Sequence, residues 1–390
     1  MLKFINPLEE AWQAFDLAGS FVDLLDKSFH PIPNGAPMPV KHERLNALVV
    51  KDGVQLANAV QRNDVDISLT EPTYLITETL NFGQNVDLVG EGPYLVNIMA
   101  ADGFNGSEMV SISKPGALLD NIWLNGSHRT VNGIQLEDAM DVLVQRCLLT
   151  SFQRNCMRMI GHTSNVVVFL CEMADTGSNH GIGMRETVSD VLIASSIFHD
   201  CGRKGDNDGF GLDLHGQRIW SLGNLVFDNH RGIKLPDTED VMVWRCYVDD
   251  GFSHKYPPVS IWKSNESYGR TPTRVTITGC TLDSQTYHIG IWNGGDIFVG
   301  PNRALKGGQP VEMNIKGRYT ALPDKETPLP PLPPAPPVDL PIEPDTGDDT
   351  GKLPDVALDE LASEVLARLD VDALADQVGR RLLQRWMNVL

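Results

Sequence analysis

The chain of 390 residues is long enough for one large domain with appendages, or for two or three domains, and its 42% hydrophobic and 21% charged content is ordinary for a globular protein. A formal net charge of −19 argues against a nucleic-acid binder and against docking on an anionic membrane, while leaving room for a local basic groove that takes a polyanionic glycan. The six cysteines form no CxxC pair and no Cys/His metal spacing, so no disulfide framework, zinc site or other cofactor is expected.

The N-terminal stretch MLKFINPLEEAWQAFDLAGSF carries Glu9, Glu10 and Asp16 where a secretory signal needs an apolar core, and no apolar run is long enough to span a bilayer. The expectation is a protein made in a cytoplasm that does not leave by the secretory route. Ile5, Leu8, Trp12, Phe15 and Val22 recur at heptad-like spacing, which predicts a short amphipathic helix in need of a partner surface. Residues 1–49 are therefore expected to form an attachment or cap segment, packed on their own domain or on another molecule.

From residue 50 to 320 the character changes. VKDGVQLANAV could form one short helix, and short β-rich runs separated by Gly, Asn and Asp follow it. Seven of these runs align as one repeated phrase: DVLVQRC, NVVVFLC, DVLIASS, RIWSLGN, DVMVWRC, RVTITGC and DIFVGPN. They end on Cys147, Cys171, Ser196, Asn224, Cys246, Cys280 and Asn302, at offsets of 24, 25, 28, 22, 34 and 22 residues. A column of small residues, one per repeat, is what stacked turns require, and Asn or Ser can hydrogen-bond along such a stack. Four of the six cysteines are thereby read as buried packing residues. The expected fold is all-β: a right-handed parallel β-helix of about ten coils.

Residues 321–354 form a proline-rich, acidic linker containing PLPPLPPAPPVDLPIEPDTGDD, which favours extended polyproline II. In residues 355–390, LDELASEVLARL and VDALADQVGRRL are near-duplicates and both amphipathic. So small a helical pair cannot bury its apolar face alone and should self-associate or dock on another protein.

DGVQLANAV, the strand TYLI and then NVDLVGEG resemble the opening of pectate-lyase-like β-helix proteins, a superfamily that includes phage tailspikes and polysaccharide lyases. The resemblance covers about residues 50 to 310 and implies the fold, while the superfamily mixes lyases, hydrolases, epimerases and non-catalytic adhesins. A β-helix between terminal segments, with no secretory signal, looks like a phage spike or fibre, which reaches the outside by cell lysis. A narrower resemblance is to the Asp-Pro-His-Asp motif of mannuronan C5-epimerases. Asp213 and His215 match its Asp and His, with Leu214 in place of Pro and Gly216 in place of the second Asp.

In GLDLHG, alternation sends Leu212 and Leu214 into the core and Asp213 and His215 to the outer face. The coil alignment places Lys234 over Asp213, Gly183 and Arg185 one coil below, and Arg158 and Glu137 further down. Trp262 and Trp292 lie further up. Exposed Trp faces stack on pyranose rings, and Arg or Lys pairs with uronate or sialate carboxylates. The catalytic candidates are His215, an acid or base with an ordinary pKa near 6.5, and Asp213, which would orient it. The substrate-binding candidates are Arg185, Arg231, Lys234, Trp262 and Trp292. The plainer alternative is a surface ion pair of Asp213 with Lys234, worth about 0–1 kcal/mol, beside a merely exposed His215. Asp208 with Asp228, or Asp249 with Asp250, could instead supply the carboxylate pair of a glycosidase. Asp206, Asn207 and Asp208 could hold Ca2+ but lack a complete calcium-loop pattern, and no metal site is expected. The remaining histidines, His180 and His199 among them, are read as corner polarity.

Together these features point to a phage-type spike or fibre that binds a host surface polysaccharide, with depolymerase activity as an added option. One alternative is a free-standing uronate-polymer C5-epimerase or lyase, and another is a non-catalytic structural β-helix of a larger assembly. Any enzyme would be a polysaccharide lyase, epimerase or glycosidase. The expected partners are the glycan, other virion or assembly proteins bound by the terminal helices, and further copies in a homotrimer. The expected location is the virion.

Overall fold

The computed structural model describes residues 47–91, 95–202, 209–253, 256–262, 269–284, 287–300, 302–305, 312–313 and 317–321. The chain divides into two units, Met1–Ile32 with Pro336–Leu390, and Pro33–Ala335, and every described residue belongs to the second. The expected N-terminal helix, the proline-rich linker, the C-terminal helices and Asp206–Asp208 lie outside the described residues.

Asp52 starts the only helix expected in the middle of the chain, α1 (Gly53–Val60). Its carboxylate accepts from the N–H of Gln55 at 2.8 Å, which satisfies one of the free donors of the first turn. Leu56, Ala57 and Val60 of α1 are buried against the first strands, so the helix caps one end of the core.

Among the described residues every strand pair is parallel, and each strand pairs with one roughly a turn away in sequence. Twelve strands form one sheet, here the first face, from Leu48–Val50 to Gly317–Ala321. A second sheet of 18 strands contains two ladders, the second and third faces, which the chain visits in alternation. The result is a right-handed parallel β-helix of about nine turns, close to the ten expected.

Side chains of one kind lie over one another because the register repeats. On the first face Val142, Val166, Val191, Ile219, Val241, Val275 and Ile297 stack inward without a break. Burying each such side chain contributes roughly 1.5–3 kcal/mol. The small-residue column stands where the alignment put it. The N–H of Cys171 donates to Ser196 Oγ at 3.1 Å, that of Ser196 to Asn224 Oδ1 at 2.9 Å, and that of Cys280 to Asn302 Oδ1 at 2.9 Å. All six cysteines are free and buried.

The corners between faces need a left-handed backbone residue, and this chain mostly supplies Asp, Asn, Ser or Arg rather than Gly. Asp141, Asn165, Asp190, Arg218, Asp240, Arg274 and Asp296, all with φ between 51° and 58°, form one such column. Asp and Asn tolerate this conformation through local hydrogen bonds. The Arg residues pair along the column, Arg218 Nε meeting Asp190 Oδ1 at 2.5 Å.

Candidate functional site

The third face brings the sequence candidates together around strands Phe210–Asp213 and Arg231–Pro236. Its register pairs Arg158 with Gly183, Gly183 with Asp213, Asp213 with Lys234, Lys234 with Ser260, and Ser260 with Gly290. Pro236 pairs with Trp262, and Trp292 follows Ile291, the partner of Ile261. Lys234 thus stacks over Asp213, and the two tryptophans occupy successive turns beyond it.

The environment of this row differs from the simple outer face expected. Asp213 is 7% exposed and His215 4%. The Lys234–Asp213 pair, Nζ to Oδ1 at 3.4 Å, joins a buried carboxylate to a lysine whose side chain is 12% exposed, so it is not the surface ion pair of the plainer alternative.

Gly183 accounts for part of this burial. It stands directly below Asp213 and has no side chain, and a Cβ there would lie only 3.0 Å from the ring of His180. The imidazole of His180 takes the space, with Nε2 3.3 Å from Asp213 Oδ2. The N–H of Phe210 donates to Nδ1 of His180 at 3.1 Å, which places the ring proton on Nε2, toward the carboxylate. His215 approaches the other oxygen, Nε2 to Oδ1 at 3.4 Å, and its Nδ1 lies 3.6 Å from Asp237 Oδ2. Gly216 then turns the chain with φ +116°, where a Cβ would sit 2.1 Å from the carbonyl oxygen of Val188.

These contacts set the charges. Burial alone would raise the carboxyl of Asp213, but His215, His180 and Lys234 hold it well below the usual carboxylate range. Burial would lower the imidazole of His215, yet Asp213 and Asp237 push it up to about 9 against the opposing charge of Lys234. At neutral pH His215 is therefore an imidazolium between two carboxylates, a proton donor rather than a base.

Aromatic rings surround the cations. The guanidinium of Arg231 lies 3.8 Å from the centre of the Tyr256 ring and 5.3 Å from that of Phe210. Lys234 Nζ lies 5.2 Å from the Trp262 ring and 5.4 Å from Phe210. Trp262 and Trp292 are 5.8 Å apart, with Tyr256 edge-on to both, and all three are half-buried. At the other end of the row Arg185 is exposed. Burial, together with Arg185 and Arg154, lowers the pKa of Arg158, the mark of a cationic cluster. The row can hold an anion at either end and present flat apolar rings beside it.

Of the other carboxylate candidates, Asp228, Asp249 and Asp250 lie on or beside the second-face strands Leu225–Phe227 and Tyr247–Asp249, and Asp208 lies outside the described residues. Asp249 and Asp250 do not face one another. Asp249 accepts from the N–H groups of Asp228 and Gly251 at 3.0 and 2.9 Å, while Asp250 accepts from Ser284 Oγ at 3.1 Å. Burial, opposed by those backbone donors and helped by Asp228 and Asp250, raises the Asp249 carboxyl to about 6. Its register partner is Asp283 on the next turn. His199 is pinned between Glu172 and Asp200 at 3.0 and 2.9 Å. Among the described residues no group of three or more His, Cys, Asp or Glu is placed to hold a metal, and no helix is long and apolar enough to cross a membrane.

His180 is the site residue that the sequence did not single out. It lies 33 residues before Asp213, and the only local signal is the pair of small residues in His180-Gly181-Ile182-Gly183, which leaves room for its ring.

A family model described as "Right handed beta helix region" matches residues 132–304. No curated protein matches the chain by sequence. Among solved structures, the ORF18 protein of Geobacillus virus E2 is similar with a TM-score of 0.51 and 12% identity, over 69% of this chain and 56% of that one. The enzymatically active domain of the bacteriophage CBA120 tailspike protein 2 gives 0.50 and 11%, over 68% of this chain and 44% of that one. The A-module of an Azotobacter vinelandii mannuronan C-5 epimerase gives 0.45 and 13%, over 72% of this chain and 98% of that one. This chain thus spans about half the length of the two viral proteins it matches. The fold is a right-handed parallel β-helix, similar to that of these two viral structures.

Proposed function

We propose that the protein is a phage-type spike or fibre protein whose third face binds an acidic surface polysaccharide of the host. The observation that carries this reading is the half-buried wall of Trp262, Trp292 and Tyr256 beside Lys234 and Arg231. Sugar rings stack on such faces, and the cations pair with carboxylate or sulfate groups. On a chain of net charge −19, a row holding Arg154, Arg158, Arg185, Arg231 and Lys234 is a local reversal of sign that favours an acidic chain.

Within this reading Asp213 and His215 brace the row instead of acting on the glycan. Both ring nitrogens of His215 already face carboxylates, and Asp213 is shared among three basic groups. Calorimetric titration of the full chain with acidic and neutral bacterial surface polysaccharides tests the proposal. Replacing Trp262 and Trp292 by Ala should weaken binding by at least about tenfold, the loss of roughly one stacked ring pair at 0.5–1.5 kcal/mol plus its buried area. Depolymerisation or epimerisation that His215→Gln abolishes would replace this reading with the lyase or epimerase one. Absence of binding to every glycan would leave the structural role.

A further inference from the structure

Three arginines, Arg154, Arg158 and Arg185, gather at one end of the third face. Arg154 and Arg185 are exposed and Arg158 is half-buried. Among the described residues no ion pair joins any of the three to a carboxylate, whereas Arg129, Arg146, Arg218 and Arg274 each meet one. The acids whose charge reaches Arg158, Glu137 and Glu108, take other donors. Glu137 accepts from Gln135 Nε2 at 3.3 Å and Glu108 from the hydroxyl of Ser107. The carboxamide oxygen of Asn179, in the orientation its neighbours demand, accepts from Arg154 at 3.2 Å, a neutral partner that leaves the charge unmatched. Three cations beside two acids leave this end of the face positive.

The turns beyond it are different. Asp213 and Asp237 face His215 and Lys234, two carboxylates against two cations, so those charges are taken up within the protein. Arg231 is 8% exposed, with its guanidinium against the ring of Tyr256. The cations under the ring wall are thus far less accessible than the three arginines.

The register sets the spacing. Continued from the pairing of Gly183 with Asp213, it puts Arg185 under His215, His215 under Pro236, Pro236 under Trp262 and Trp262 under Trp292. At about 4.8 Å per strand, Arg185 stands about 14 Å from the level of Trp262 and about 19 Å from that of Trp292. One pyranose unit of an extended chain covers about one strand spacing, so roughly three or four sugars separate the arginines from the ring wall.

We propose that Arg154, Arg158 and Arg185 form a subsite for a single oxyanion of the glycan, with neutral sugars running from it to the tryptophans. The subsite, which rests on the glycan-binding reading of this face, selects a heteropolysaccharide with one acidic group per repeat. A chain charged at every sugar would lay carboxylates over Asp213 and Asp237, where His215 and Lys234 are already engaged. Guanidinium groups hold carboxylate and phosphate alike through paired N–H donors, so either substituent suits the subsite.

Calorimetric titration of the full chain with four probes tests the subsite. They are gellan oligosaccharides, with one glucuronate in each repeat; a capsular oligosaccharide with one phosphodiester in each repeat; polygalacturonate, charged on every sugar; and neutral dextran. One of the first two should bind at least about tenfold more tightly than the last two, the scale of a lost charge-assisted contact. Which of them does so separates carboxylate from phosphate. Arg158→Gln with Arg185→Gln should remove that advantage without lowering the Tm, since neither arginine holds an ion pair. Tightest binding to polygalacturonate or dextran would overturn the subsite and leave glycan binding standing. So would an advantage that survives the double substitution while Trp262→Ala abolishes binding. Binding to none of the four would defeat the subsite together with the reading beneath it.

Discussion

His215 and Asp213 respond to pH from opposite sides. The folded pKa of His215, about 9, stands above its unfolded value near 6.5, so its contribution to stability is complete below about pH 6.5. That contribution is lost as pH rises through 9, with a ceiling of ~3 kcal/mol. Asp213 is depressed, so its share is present above about pH 4 and disappears only as pH falls toward its lowered value. His199 adds to the alkaline loss, since Asp200 and Glu172 push it up to about 10 against burial. Thermal melts of the wild type should therefore show a falling Tm between pH 6.5 and 10. His215→Gln should flatten the early part of that fall and leave the His199 part in place. An unchanged slope in the variant would mean that His215 is not held as an imidazolium. The stacking of Lys234 over Asp213 could be read from a 21-residue offset between two similar phrases. The burial of the pair could not, because it depends on a missing side chain at Gly183 and on a histidine from the turn below.

At the scale of elements, the corners show how one backbone requirement is met in different ways. Asn121, Arg146, Leu170, Ser195, Gly223, Arg245 and Gly279 all adopt φ between 49° and 65° at the same corner of successive turns. Leu170 gains nothing from local polar bonds in this conformation, which costs an L-residue roughly 1–2 kcal/mol. Leu170→Gly should therefore be neutral or stabilising by up to ~1 kcal/mol, as read by denaturant unfolding. Arg146→Gly relieves the same backbone but removes the Nε bond to Asp120 at 2.7 Å, leaving a carboxylate whose side chain is 4% exposed without its cation and with Gln145 Nε2, at 3.1 Å, as a remaining donor. It should cost about 2 kcal/mol or more, even discounted for the half-open Arg. Equal effects from the two variants would show that the corner backbone dominates over its side chains.

The small-residue column was legible beforehand because stacking forces one residue class to recur wherever the turn closes. A second apolar column of the first face, Leu118, Leu143, Val167, Leu192, Trp220 and Met242, was present in the same phrases, as DVLVQRC, NVVVFLC and DVMVWRC, but a run of three apolar residues reads first only as a strand. Alternation assigns the inner residues, and only the register reveals that the outer ones align into a surface of their own.

For the whole molecule, stacking of this kind makes each turn depend on its neighbours alone, so the ends decide whether the column holds. At one end α1 closes the core with Leu56 and Val60. The duplicated amphipathic phrases at 358–369 and 371–382 lie outside the described residues, and their sequence pattern alone is the ground for expecting self-association. In a spike, three chains would pool those faces and hold three glycan-binding rows together, raising avidity well beyond one row's affinity. Light scattering coupled to size exclusion should accordingly find a trimer for the full chain and a monomer for a chain ending at Ala335, which keeps residues 322–335. Because the shortened chain retains the third face intact, its affinity for a single short glycan should match the full chain's, and only its hold on a repeating polymer should fall. A full chain that is monomeric would remove the main reason to read the protein as a spike.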